Sequence, residues 1–236
     1  MKNLILIRHG QSKWNLEKRF TGWADIDLTD QGISEAHNAG KLIKDLNLEY
    51  EICFSSILKR AYNTLEIILK IIDQKNLKYE RHYQLNERHY GALTGLNKND
   101  MKKKYGEKKI LEWRRSWNIS PPSHNKELNK YIIYPNIQET NIPRSESLED
   151  TYKRIVPFYE KNILPLLKKD KNIIVAAHGN SLRALMKNIF NISNNKIFKL
   201  EIPTGNPLLI SFDHELKIIK YVYLDKNRAK ELLCNV

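Results

Sequence analysis

His9 and His178 carry the first chemical signal in this 236-residue chain. Each follows an apolar run and precedes a glycine, in Leu4-Ile5-Leu6-Ile7-Arg8-His9-Gly10 and in Ile173-Ile174-Val175-Ala176-Ala177-His178-Gly179-Asn180. Runs of this kind read as short strands buried on both faces. A buried strand ending in imidazole and glycine delivers the ring to its carboxyl end, where ligands bind in α/β sheets. Taken alone, Arg8-His9-Gly10 is better explained as a surface pair. The second strand with the same ending changes that, because two such units bring two imidazoles to one sheet edge.

Other groups are expected at that edge: Arg60 in the first turn of a helix, Glu87 in an Asn-Glu-Arg loop, and Lys98, Arg114 and Arg115 in a covering segment. Two histidines and an acid suit a metal, but adjacent arginines oppose a cation and no His-x-x-x-His or cysteine pair completes a ligand set. A serine hydrolase is weaker still, for neither a Gly-x-Ser-x-Gly elbow nor an ordered Asp partner is present. An anion site fits better. Guanidinium groups grip phosphate oxygens in pairs, and glycines let backbone N–H groups approach them. Among arginines an imidazole favours its neutral form. Neutral imidazole is a nucleophile that forms phosphohistidine, while arginines stabilise charge on the phosphoryl in flight. Glu87 supplies a carboxyl able to give or take the substrate oxygen's proton, although residue type alone does not separate this from a solvated loop glutamate.

The elements that must position these groups alternate between strand and helix. Helices are expected over 33–46, with Thr29 or Asp30 as N-cap, over 58–73 capped by Ser55-Ser56, over 147–167 with Ser147 and Asp150 as a capping box, and over 181–190. Pro157 and Pro165 predict a kink or an early end in the third of these. Further strands are expected at 51–54 and, more weakly, at 79–83. A hairpin is expected at 207–212 and 217–223. Residues 84–122 lose hydrophobic alternation and predict loops and short helices over the sheet edge, and 123–144 predicts a long surface loop. The fold class is α/β: a mostly parallel central sheet with helices on both faces and a closing antiparallel edge hairpin. The organisation is one domain over 1–236, with a cap region at about 84–145 and a polar tail from about 225.

Composition sets limits on partners. Hydrophobic residues at 41% and aromatics at 9% suit a globular domain, and no apolar run is long enough for a membrane span or a signal peptide. Cys53 and Cys234 provide no disulfide framework, so a reducing cytoplasm is the expected location. Forty Lys plus Arg against 27 Asp plus Glu leave +13, which favours anionic partners, although a Lys-, Asn- and Ile-rich chain also follows from A/T-rich codon usage. A nucleic-acid module is disfavoured. The densest basic run, Lys102-Lys103-Lys104, has no stacking-aromatic or helix-turn-helix context.

Seven blocks in order carry a resemblance: residues 8–15 (RHGQSKWN), 20–23 (FTGW), 58–61 (LKRA), 85–96 (LNERHYGALTGL), 113–115 (WRR), 176–184 (AAHGNSLRA) and 202–205 (IPTG). Together they resemble the histidine phosphatase superfamily and, within it, the cofactor-dependent phosphoglycerate mutases, over about residues 2–223. The resemblance implies that His9 is the phosphorylated nucleophile, that Glu87 is the general acid/base, and that Arg8, Arg60 and His178 clamp the phosphoryl. It implies that Ser12, Asn15, Thr21, Gly22, Gly179 and Asn180 line the pocket, and that Tyr90, Lys98, Arg114 and Arg115 hold a carboxylate and a second phosphate. The implied activity interconverts 3-phosphoglycerate and 2-phosphoglycerate in glycolysis and gluconeogenesis. It uses 2,3-bisphosphoglycerate as primer and intermediate, no metal, no nucleic acid and no membrane, in a cytoplasmic homodimer or homotetramer.

The chain also departs from that pattern. Gln11 replaces the usual glutamate and Thr94 a common glutamine. The 123–144 loop is shorter than in relatives, and so is the tail after Tyr223, which in relatives covers the site and bears on water exclusion. The alternative is a broad-specificity histidine phosphatase on small phosphate esters, which has less use for Tyr90, Lys98, Arg114 and Arg115. A bisphosphoglycerate synthase ranks lower because Ser12 stands where such relatives usually have glycine.

Overall fold

The computed structural model describes residues 2–74, 77–124 and 137–232. Among them, strands β1 (Lys2–Arg8), β2 (Ile52–Ser55), β3 (Lys78–Arg81), β4 (Ile173–Ala177), β5 (Leu208–Phe212) and β6 (Ile218–Tyr223) form one sheet in the order β3-β2-β4-β1-β5-β6. β1, β2, β3 and β4 run parallel, whereas β5 pairs antiparallel with both β1 and β6. In register, Arg8 lies opposite Ala177 and Ser55 opposite Ala176. The residues that follow these strands, His9, Ser56 and His178, therefore leave the sheet at the same edge.

The continuous apolar runs have the expected cause. Leu4, Leu6, Ile173 and Val175 enter one core, while Ile5, Ile7, Ile174 and Ala176 enter a second core on the opposite face. Helices α2 (Asp30–Lys44) and α3 (Lys59–Ile72) cover the second core, and α6 (Leu148–Phe158) and α8 (Gly179–Ile189) cover the first. Period-2 strands with apolar residues on both faces need helices on both sides. The Cys53 thiol lies in the second core, where burial pushes it up to about 12. Among the described residues no helix is long and apolar enough to cross a membrane.

Several element ends differ from the sequence expectation. α2 begins at Asp30 because the Thr29 hydroxyl accepts the Gly32 N–H at 3.1 Å. α3 has no side-chain cap: Ser56 Oγ accepts the Leu58 N–H at 3.2 Å but lies 2.6 Å from His178 Nε2. β3 ends at Arg81, and Tyr83–Leu85 is a 3-10 turn. The capping box of Ser147 and Asp150 is present. Pro157 lies inside α6, and a π-helical turn at Tyr159–Ile163 takes up the irregularity before α7 (Leu164–Lys168). α8 starts at Gly179, two residues earlier than its periodicity suggests, with His178 as N-cap. Residues 84–122 contain α4 (Lys98–Tyr105) and α5 (Glu107–Arg115). Most of the 123–144 loop and Cys234 lie outside the described residues.

Two glycines set the distance between β1 and α2. A Cβ on Gly10 would sit 2.2 Å from the Gly32 carbonyl oxygen, and one on Gly32 would sit 2.1 Å from that of Gln11. Backbone meets backbone here, so neither position has room for a side chain. The turn after His9 is pinned against the start of α2.

Candidate active site

The state of the His9 ring is set by a backbone carbonyl. His9 Nδ1 lies 2.6 Å from the Gly10 oxygen, which can only accept, so Nδ1 carries the proton. Nε2 is left with its lone pair. The ring is 2% exposed, and burial, then Arg60, then Arg8 hold its pKa well below the ordinary 6.5 against the smaller opposing pull of the Gly10 bond. His9 is thus a neutral imidazole of defined tautomer at physiological pH.

His178 faces it edge-on, with ring centroids 5.0 Å apart. It too is held well below its ordinary value, by burial, then Arg60, then His9. Ser56 Oγ contacts its Nε2 at 2.6 Å, and its buried Nδ1 has no hydrogen-bond partner. Arg8 donates from Nη1 to the Ile202 carbonyl at 2.8 Å, while its buried Nε is also without a partner. Arg60 is 1% exposed, and its two terminal nitrogens donate to the Ala24 and Gly22 carbonyls, each at 2.8 Å. Burying unsatisfied donors is costly. Two of them beside a neutral imidazole describe a socket for anionic oxygens.

Glu87 is the acid facing this cluster. Its Oε1 accepts the Asn180 N–H at 3.1 Å and its own Arg88 N–H at 2.8 Å. Both bonds fall on one oxygen, so Oε2 can meet a ligand. The Asn180 N–H is in the first turn of α8, a region of partial positive charge.

The pocket is lined by Arg8, His9, Asn15, Thr21, Gly22, Arg60, Glu87, Tyr90, Lys98, Arg114, Arg115, Gly179 and Asn180, with Arg183 in addition. The sequence-predicted set therefore converges, with two qualifications. Ser12 is fully buried behind the wall, where its hydroxyl accepts the Asn15 N–H at 3.3 Å and holds the start of α1 (Lys13–Leu16). His178 contacts the site through its ring against His9. Arg183 was missed, although it follows Asn180 by three residues on α8 and so shares its face. It donates to Asn180 Oδ1 at 2.5 Å and to the Leu200 carbonyl, and burial brings its pKa down to about 9. Ser56 was read as a helix cap; its position directly after a parallel strand was the signal that it belongs at this edge.

The profile of the histidine phosphatase superfamily (branch 1) matches residues 4–224. The chain belongs to this superfamily. It is 52% identical to a 2,3-bisphosphoglycerate-dependent phosphoglycerate mutase of Pelagibacter ubique (strain HTCC1062), over 99% of each chain. Among solved structures, a mycobacterial glucosyl-3-phosphoglycerate phosphatase superposes with a TM-score of 0.72 at 20% identity, covering 94% of this chain and 97% of that one. Bacillus stearothermophilus YhfR gives 0.70 at 20% identity, covering 92% and 94%. These two likenesses establish the shared fold.

In this superfamily member Lys98, Arg114 and Arg115 add further cations to the pocket lining. Arg88, fully buried, donates to the Arg114 carbonyl at 2.7 Å and lies 4.8 Å from the Tyr90 ring centre. Arg115 donates to the Phe198 and Leu200 carbonyls, which ties α5 to the segment before β5. Tyr90 OH accepts from Asn180 Nδ2 at 3.2 Å. Burial alone would raise its phenol, but Arg88 and then Arg114 outweigh that and bring it to about 8. Ionised Tyr90 would add negative charge where an anionic ligand must bind. We expect kcat/KM for a phosphorylated substrate to decline above about pH 8, approaching tenfold per pH unit. A pH profile of Tyr90→Phe should lack that decline, and an identical alkaline limb in both proteins would remove Tyr90 as its source.

Proposed function

We propose that the chain is a 2,3-bisphosphoglycerate-dependent phosphoglycerate mutase, interconverting 3-phosphoglycerate and 2-phosphoglycerate. The full-length 52% identity to a mutase supports this reading. The observation that carries it is the number of cations in the pocket: Arg8 and Arg60 act on the His9 ring, and Lys98, Arg114 and Arg115 line the same pocket. A monoester phosphatase needs cations for one anionic group; a substrate with a phosphate, a carboxylate and a second phosphorylation site needs them for more. The unpartnered Arg8 Nε and His178 Nδ1 fit phosphate oxygens, so the residues present suit the bisphosphate primer.

The geometry supports the following roles. In the phosphorylated enzyme, the C2 hydroxyl of 3-phosphoglycerate attacks phosphorus while the Glu87 carboxylate takes the hydroxyl proton. The P–N bond breaks and its electron pair returns to His9 Nε2. After the bound bisphosphate reorients, His9 Nε2 attacks the phosphorus at C3. The P–O bond breaks, and protonated Glu87 returns its proton to the departing oxygen. Arg8 and Arg60 stabilise the charge on the phosphoryl in transit. Two transfers leave the enzyme phosphorylated and the substrate isomerised. A cytoplasmic location accords with a glycolytic reaction.

The test is product identity from 3-phosphoglycerate with and without 2,3-bisphosphoglycerate. We expect 2-phosphoglycerate formation that depends on the primer, with release of inorganic phosphate at least ~100-fold slower, a difference of about 2.7 kcal/mol in barrier. Phosphate release as the main reaction would support the phosphatase alternative.

A further inference from the structure

Glu87 is held from behind by a buried ion pair that does not touch the pocket. Arg154, on α6, binds Glu146 in bidentate fashion, Nε to Oε1 at 2.8 Å and Nη2 to Oε2 at 2.9 Å. The side chains are 11% and 4% exposed. The same guanidinium donates from Nη1 to the carbonyls of Tyr83 (3.2 Å), Gln84 (2.7 Å) and Asn86 (3.3 Å), and from Nη2 to that of Glu87 (3.4 Å). Glu146 completes the frame: its Oε2 accepts the His89 N–H at 2.8 Å, and its own N–H donates to the His89 carbonyl at 2.9 Å. Trp23 Nε1 donates to the Glu87 carbonyl at 2.6 Å, with Arg154 5.4 Å from its ring centre.

Carbonyls from residues 83–87 thus converge on one cation, and that cation's counter-ion grips residue 89. The segment is otherwise a 3-10 turn followed by irregular chain, with no ladder or helix of its own to fix Glu87. From these contacts we infer that Arg154 and Glu146 are positioning residues for Glu87, fixing the backbone from which its carboxyl reaches the transferred oxygen. This rests on the acid/base reading of Glu87 given above. Misplacing a reacting group by about 1 Å costs on the order of 100-fold in rate.

A mere structural tie would predict loss of all activities together, whereas a positioning role predicts selective loss. Protonation by Glu87 matters for an alkoxide leaving group and little for 4-nitrophenolate, which departs unprotonated. Arg154→Lys, which cannot span the four carbonyls and the carboxylate, should lower mutase kcat about 10–100-fold with KM within about threefold. Phosphohistidine formation from 4-nitrophenyl phosphate should fall no more than about threefold. Glu146→Gln should move the same ratio by less. In a Glu87→Gln background either change should add almost nothing, because residues acting through one another are not additive.

A parallel fall for both substrates, partial unfolding included, would overturn the inference, as would additive losses in the double variants. If Glu87→Gln leaves the alkyl-to-aryl ratio untouched, the acid/base reading fails and takes the clamp with it. If Glu87→Gln moves the ratio and Arg154→Lys does not, the clamp alone fails.

Discussion

His9→Ala is expected to lower phosphoryl transfer by at least ~10⁴-fold and to abolish labelling of the protein by 2,3-bisphosphoglycerate. No other side chain lining the pocket offers an uncharged ring nitrogen with a lone pair to spare. His178 has Nε2 against Ser56, and the remaining side-chain nitrogens belong to arginines, a lysine and the amides of Asn15 and Asn180, whose lone pairs are delocalised or protonated. Among the described residues, the His9 side chain hydrogen-bonds only to the carbonyl of the next residue, so its removal unties no distant element there. Loss of activity should therefore come with a melting temperature within a few degrees of the parent. The measurements are a labelling gel, with the phosphoryl bond tested for the acid lability of a phosphoramidate, and a coupled assay from 3-phosphoglycerate. Parent-like labelling in His9→Ala would remove the nucleophile assignment.

Residues differ in how plainly their place can be read from the chain. β1 and β4 were legible because apolar residues on both faces of a strand leave no other environment for them, and their shared ending put His9 and His178 at one edge. α2 and the Ser147–Asp150 box were legible through periodicity and capping chemistry. Residues 84–122 were legible only as an absence of period, so the location of α4 and α5 did not follow. Ser56 was misread because a serine before a helix caps far more often than it supports a histidine. Only the sheet order, which sets β2 beside β4, brings it to His178. Arg154 and Glu146 gave no local signal at all. They are a charged pair eight residues apart whose partners, residues 83–89, lie more than fifty positions away. Nor does spacing reveal a residue's second use. Arg183 reads as the polar face of an amphipathic helix until its contact with Asn180 is seen.

Arg60→Met should produce the other large effect, and its sign separates two functions of one guanidinium. Arg60 is buried, and its carbonyl partners Gly22 and Ala24 belong to the turn that walls the pocket. On the proposed role, removing its charge deletes a cation that stabilises the transferred group, a change worth about 10²–10³ in rate when an anion-stabilising group is lost. The same charge is, after burial, the largest influence keeping His9 and His178 below their ordinary pKa. Without it the pKa of both rings moves up toward 6.5, so His9 is protonated, and lost as a nucleophile, at a higher pH than in the parent. The acid limb of kcat/KM should accordingly shift to higher pH, on top of a lower plateau. Arg60→Lys keeps the charge but not the paired geometry, so it should lower the plateau while leaving the acid limb nearer the parent's. Profiles from pH 4 to 8 for the three proteins, alongside thermal melts, decide the matter. An acid limb in Arg60→Met that coincides with the parent's would mean that burial alone keeps His9 neutral, and that Arg60 serves the phosphoryl group without tuning the ring that attacks it.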